Sequence, residues 1–463
     1  MVIVQGAAPP VDEAAPRRIG LLRWGLLRRL LLSRLYPTAF QVVGVGFLGL
    51  LLYFSFFGTL RAGQNFSTTV TWILWWSLLP WSYLLLGRVW CAVCPIGSLS
   101  EWAQRLGGWG RRLPGAFLKR YSLWLMAVTF LFLTWADRVW NVTGSPRATG
   151  ILLALVLGGS LAMGFLYQRR AWCRFLCPIG AFSGLYSMAS SLELRTIPEA
   201  CKGCAGKECY SGSEKAAGCP FYQFPATMDT NRNCSICANC VKTCPRGAID
   251  LFFRPPGREL WALRHPLPGE AFLAVLLVSV VYLQTINMTT AFPVFMKWLV
   301  ESTPLGTYEL ALTATFAGFI GLVLVLYLLA SLLAGRTGGE GFGFGFSRFA
   351  YAYIPLALAG HLAHNLFHLL MEGPAALQAA LDQLGWRLAP VAETSIDAGL
   401  MTFTSVTMVL LGLGGSVYFL VRTGNAHAVK GWRTALPHLA LVLVLGALYL
   451  QMFILPMNPR HSH

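Results

Sequence analysis

Nine stretches of this chain run for about 20 residues with almost no charge, and that feature limits most of what it can fold into. A bilayer core of about 30 Å needs roughly 20 consecutive apolar residues as helix. The stretches lie near 38–60, 68–89, 120–140, 149–167, 269–290, 309–334, 349–371, 398–421 and 434–455. Charged residues make up 12% of the 463, about half the share in a soluble globular chain. A soluble enzyme, a disordered regulator and a secreted disulfide scaffold are excluded. The expectation is an all-α polytopic membrane protein of about nine transmembrane helices.

The net charge of +17 would suggest a nucleic-acid partner in a soluble protein. Here the cations sort by side. With the N-terminus inside and the spans alternating, 30 of the 36 Lys and Arg fall on the inner side; Arg61, Arg138, Arg147, Lys297, Arg387 and Arg460 fall outside. This is the positive-inside bias of a multi-pass protein in a prokaryotic cytoplasmic (inner) membrane. The bilayer is then the first partner, no nucleic acid is expected, and the C-terminus is expected on the periplasmic or extracellular side. The Arg-rich lead before the first span does not fit a cleavable signal. Within it, Arg17–Arg34 alternates basic and apolar residues, which suits either a helix lying on the anionic inner face or a plain flank of the first span.

The twelve cysteines are grouped. Between spans four and five the chain turns polar and reads Cys234-x2-Cys237-x2-Cys240-x3-Cys244-Pro245. In this bacterial ferredoxin spacing, three thiolates wrap one [4Fe-4S] cube and the fourth reaches a second. Upstream stands the looser Cys201-x2-Cys204-x4-Cys209-x9-Cys219-Pro220. Crossed ligation predicts Cys201, Cys204, Cys209 and Cys244 on one cube, with Cys219, Cys234, Cys237 and Cys240 on the other. A zinc ribbon is the alternative for the looser run. Disulfides are disfavoured on the reducing inner side. A small α+β ferredoxin-like 2[4Fe-4S] module is therefore expected as an insertion.

The other four cysteines form an internal repeat. Span two is followed by Arg88-Val-Trp-Cys91-Ala-Val-Cys94-Pro-Ile-Gly97, and span four by Arg170-Ala-Trp-Cys173-Arg-Phe-Leu-Cys177-Pro-Ile-Gly180. A duplicated hairpin related by a pseudo-twofold axis would bring both pairs into one four-thiolate site, a candidate third cluster or metal site. Redox-active thiols or a reduced packing role are the alternatives. The expected division is a basic segment (1–37), a four-helix membrane domain (38–180), the ferredoxin-like module (181–266) and a five-helix membrane domain (267–463).

On CAVCPIG, CRFLCPIG and the paired ferredoxin runs, residues 38–250 resemble the membrane-bound polyferredoxins of the nitrate and nitrous-oxide respiration systems, the NapH and NosR group. The resemblance implies electron delivery between the quinone pool and periplasmic reductases. The first hairpin departs from it, with two residues between its cysteines where the family usually has three, and five further spans follow.

In span seven, His361, His364 and His368 share one helical face. Ionisable groups inside a membrane are functional candidates; a polar seam between helices is the alternative. With Glu393 or Asp397 they would make a quinol site. With Met452, Met457, His461 and His463 outside, copper is another candidate. Haem ranks lower, because His438 lies near the inner end of span nine. Gly338–Phe346 lacks the strand that a nucleotide loop needs and is expected to be a flexible inner turn, with 291–308 lying along the outer interface. The chain carries no Ser-His-Asp set, Walker loop or HExxH pattern. The expected function is membrane-bound iron–sulfur electron transfer, as an oxidoreductase subunit linking the quinone pool to a respiratory redox partner. A transmembrane copper or iron reductase or maturation factor, and a non-enzymatic redox sensor or scaffold, are the other readings.

Overall fold

The computed structural model describes residues 19–106, 112–201, 203–386 and 396–458. Among them, nine helices are long and apolar enough to cross a membrane: Thr38–Phe57, Phe66–Leu86, Ala116–Trp140, Pro146–Leu166, Pro268–Ile286, Tyr308–Gly338, Phe342–Gln383, Ala398–His427 and Gly431–Ile454. Each of the nine apolar stretches maps onto one of them, and the chain is a multi-pass, all-α membrane protein. Span five is the central post, with every residue from Leu273 to Val278 fully buried. It is apolar all round, and such a helix finds its place surrounded by others. Span one is peripheral, with Val43 and Phe57 about three-quarters exposed on a lipid-facing side.

The inserted module is α+β. Strands β1 (Leu192–Thr196), β2 (Gly212–Ser213), β3 (Ala216–Ala217) and β4 (Ile249–Phe253) form two antiparallel pairs, β1 with β4 and β2 with β3. Leu192 lies opposite Phe253 and Thr196 opposite Ile249, so this ribbon brackets both ferredoxin cysteine runs. Its inner face (Leu194, Ile249, Leu251) packs with Ile236 and Cys240. Beneath it, Arg195 and Arg254 converge on the buried Glu259. A second link ties the module to the membrane core. Arg232 pairs with Glu270 at the start of span five (2.8 Å), and the Tyr351 hydroxyl donates to the same carboxylate (2.7 Å).

Within the basic stretch, a helix covers Gly25–Leu32. Leu21 and Leu27 pack on the module, and Leu31 packs with Tyr36 and Ala238. The Leu22 N–H donates to Asp250 (3.0 Å). The segment straps the module while Leu26 stays exposed. The glycine-rich stretch differs from the expected flexible turn. Span six ends at Gly338, and Phe342–Arg348 forms a helix folded back upon it. A Cβ at Gly345 would stand 2.3 Å from the Ser331 carbonyl oxygen, so glycine here permits close helix contact. After span five, Ala291–Ser302 is a helix that buries Phe292 and Met296 and exposes Val294 and Trp298. Spans two and seven each carry a π-helical turn, Thr69–Trp75 and His368–Glu372.

Candidate iron–sulfur centres

None of the twelve cysteines is in a disulfide. Cys201, Cys204, Cys209 and Cys244 line one cavity of about 390 Å³, bordered by Lys207, Glu208 and Phe224. Cys219, Cys234, Cys237 and Cys240 line a second, of about 360 Å³, walled by Leu194, Met228 and Ile236. The local chain explains the grouping. Ile236 and Ala238 both adopt positive φ, which winds the Cys234–Cys240 run into a tight turn. A short helix, Asn239–Thr243, then carries the chain to Cys244 at the other cavity. Backbone N–H groups aim at the sulfurs, Gln223 at Cys219 (3.4 Å) and Ala248 at Cys244 (3.3 Å). Burial pushes the Cys219 thiol up to about 11 and that of Cys234 to about 12.

The repeat cysteines also meet. Cys91, Cys94, Cys173 and Cys177 line a third cavity, of about 950 Å³. After span two and again after span four the chain makes a five-residue helix (Val89–Val93; Ala171–Phe175). Proline then opens the next one, Pro95–Leu106 and Pro178–Met188. Proline is well suited to a first helical turn and sends the preceding residue into extended backbone, which turns Cys94 and Cys177 off the helix ends. The copies interlock. A Cβ on Gly97 of the first copy would stand 3.0 Å from Cys173 Sγ of the second. Arg170 of the second copy donates to the carbonyls of Cys91 and Ala92 in the first, and pairs with Glu101 at 3.0 Å. Arg88, 2% exposed, donates to the Arg232 carbonyl and lies 4.9 Å over the Phe221 ring. Both arginines stand three residues before the first cysteine of their copy. That shared position was the available signal for a role that sequence reasoning left unassigned.

The three quartets form a row. Arg170 feels the charge of Cys173 and also of Cys237, and Cys240 feels that of Cys209. The order from the membrane edge is therefore the repeat quartet, the Cys234 quartet, then the Cys201 quartet. Among the described residues, no three His, Cys, Asp or Glu side chains are placed to hold a single metal ion. The thiols of each quartet border a shared cavity.

The span-seven histidines are buried and in line, but their partners differ from those expected. The Nδ1 of His361 is hydrogen-bonded to the Tyr186 hydroxyl (3.3 Å), that of His364 to Thr285 in span five (3.1 Å), and that of His368 to Glu372 (2.8 Å). These contacts tie span seven to Tyr186, to span five and to its own next turn. The carboxylate on the row is thus Glu372, one helical turn after His368, which sequence reasoning missed. Asp397 is exposed and caps span eight by accepting the Leu400 N–H. Glu393, His461 and His463 lie outside the described residues. Met452 is buried in the helix core, and His438 is hydrogen-bonded to Tyr353 (3.1 Å).

Residues 68–115 and 149–195 match the 4Fe-4S binding domain family. The two matched segments contain the two copies of the repeat. It is 28% identical over 193 residues (35% of this chain, 50% of the relative) to YccM of Escherichia coli K12, whose name associates it with electron transport. It is 31% identical over 145 residues (28% of this chain, 49% of the relative) to the methylamine utilization ferredoxin-type protein MauN of Paracoccus denitrificans. The chain spans about half the length of these curated relatives. No solved structure matches it. The similarities are thus to a 4Fe-4S binding domain and to proteins named for electron transport and as ferredoxin-type.

Proposed function

We propose that this protein carries electrons between the membrane quinone pool and a respiratory redox partner along three [4Fe-4S] centres. The observation that carries the reading is the row of three cysteine quartets running from the membrane edge into the polar module. Cys91, Cys94, Cys173 and Cys177 would hold the first centre, Cys219, Cys234, Cys237 and Cys240 the second, and Cys201, Cys204, Cys209 and Cys244 the third. The clusters would supply one-electron carriers in series. The chain's own residues do the rest. Arg88 and Arg170 place two buried positive charges beside the first quartet, which offsets thiolate charge there. Leu194, Met228 and Ile236 shield the middle quartet from water. Lys207 and Glu208 border the outermost one, the side from which a partner would exchange electrons.

In this reading the membrane is the prokaryotic inner membrane. The N-terminus and the module (181–266) face the cytoplasm, between the four-helix (38–180) and five-helix (267–463) parts, and the C-terminus faces outward. The cation bias supports that orientation. The test is anaerobic loading followed by stopped-flow mixing with reduced quinol. About 12 irons per chain, with iron–sulfur bleaching at a quinol-dependent rate, is the expected result. Bleaching only by a low-potential cytoplasmic donor would overturn the quinone link.

A further inference from the structure

We infer that the 950 Å³ cavity is shared: beside the repeat quartet it binds a lipid-soluble quinone, head group toward the cysteines. The inference rests on the electron-transfer reading above and gives it a place of exchange with the membrane. The first observation is size. The two cavities of the polar module, each walled by four cysteines, measure about 390 and 360 Å³, while the third, also with four, measures about 950 Å³. These volumes include space open to the surroundings, so the third site is the widest cleft of the three and extends beyond its cysteines.

The second observation is the lining. The surplus is walled by Phe47, Leu48 and Leu51 of span one, Val70 of span two, and Leu153 and Val156 of span four. Leu51 lies 13 residues beyond Thr38, roughly 20 Å along a helix, so the cavity reaches well into the bilayer. Phe47, 41% exposed on the lipid-facing side of span one, marks a lateral mouth. A ligand of that reach has an apolar tail.

The third observation selects among such ligands. Thr71 Oγ1, Trp75 Nε1 and Trp172 Nε1 are buried with no hydrogen-bond partner among the described residues, and all three side chains line this cavity; Arg88, beside them, reaches Cys91. Thr71 and Arg88 are 4% and 2% exposed. Buried polar groups of native proteins find partners. Thr71, Trp75 and Trp172 can each donate, so the matching ligand presents acceptors, as the two carbonyl oxygens of a quinone do. An acyl chain would fill the apolar arm and leave the donors unmet. Thr71 and Trp75 also sit on the π-helical turn of span two, a distortion often found at functional sites. The histidine row, where the sequence suggests a quinol site, does not line this cavity.

The test is photolabelling of the iron-loaded, full-length protein with an azido-ubiquinone analogue, with decylubiquinone as competitor to give a Kd. The same samples are assayed for iron and acid-labile sulfide. The expected label falls on the span-one and span-two segments around Leu48 and Thr71. Thr71→Val and Trp75→Phe, which each remove one hydrogen-bonding group, should weaken the Kd roughly 3- to 10-fold, and Leu48→Trp should weaken it further by filling the arm. Labelling elsewhere, or labelling that phospholipid suppresses and decylubiquinone does not, would overturn the inference in favour of a lipid site. Absent labelling with about 12 irons per chain would remove the quinone site and leave the relay standing. Absent labelling with fewer than about eight would remove both.

Discussion

Neutralising Arg170 should lower the reduction potential of the membrane-edge centre by about 100 mV. The guanidinium is 2% exposed, donates to the Cys91 carbonyl and lies close enough to Cys173 to feel its charge. A unit charge roughly 7 Å from the centre of a cluster, at an effective dielectric of about 20, interacts by about 2.4 kcal/mol with one added electron, or ~100 mV. Reduction adds negative charge, which Arg170 favours, so Arg170→Met should make the centre harder to reduce. Arg170→Lys keeps the charge and loses the planar fork that reaches both carbonyls, so its potential should stay much closer to that of the unmodified protein. Glu101 acts with the opposite sign. Its carboxylate sits 3.0 Å from Arg170 Nε and is 20% exposed. At roughly 10 Å and an effective dielectric of about 40 its removal is worth about 35 mV, and Glu101→Gln should raise the potential. Redox titration monitored by electron paramagnetic resonance, with iron counted in each variant, makes the measurement. Equal shifts in the Met and Lys variants would show that Arg170 acts through packing alone. Shifts of the same sign in Arg170→Met and Glu101→Gln would refute the electrostatic account.

Cys237→Ser should remove about four irons and interrupt exchange between the membrane-edge and outermost centres, seen as two separate reduction phases; an unchanged iron count would sink the assignment. Gly97→Ala pushes a Cβ to 3.0 Å from Cys173 Sγ, so it should cost the membrane-edge centre while the spectra of the module's two centres persist. Glu259→Gln removes the nearer of two carboxylates shared by Arg195 and the 1%-exposed Arg254 side chain, leaving Glu193 at 3.6 Å from each; a loss of about 2–3 kcal/mol should appear as a lower Tm for bleaching of the module. In protein stripped of iron, Cys219 (about 11) and Cys234 (about 12) hold their protons at neutral pH. Cluster loading must displace those protons, so it should strengthen from pH 6 to 9 and weaken on acidification. A pH-stat trace without acid release during reconstitution would contradict this.

How much of this was legible in the sequence depends on how local each pattern is. Nine apolar stretches and the thiol spacings are written within about 20 residues, and both kinds reappear in the fold. Partners brought by other helices are not written locally. The three histidines do share a face, but nothing near them names Tyr186 or Thr285, which come from elements 175 and 79 residues away. Glu372 was within reach as an i, i+4 neighbour of His368. It was hidden because the hydropathy of span seven fades near 371, while the helix runs on through a π-helical turn to Gln383. The repeat gives the sharper case. Read as two separate motifs, each R-x-W-C-x(2,3)-C-P-I-G names two cysteines and leaves its arginine and glycine without a purpose. In the fold the purposes cross. Gly97 makes room for Cys173, Arg170 holds the backbone at Cys91, and a Cβ at Gly180 would come within 3.5 Å of Arg88. Each copy completes the surroundings of the other copy's thiols, so neither hairpin alone can shape the site. Duplication is therefore a condition of the four-cysteine cavity.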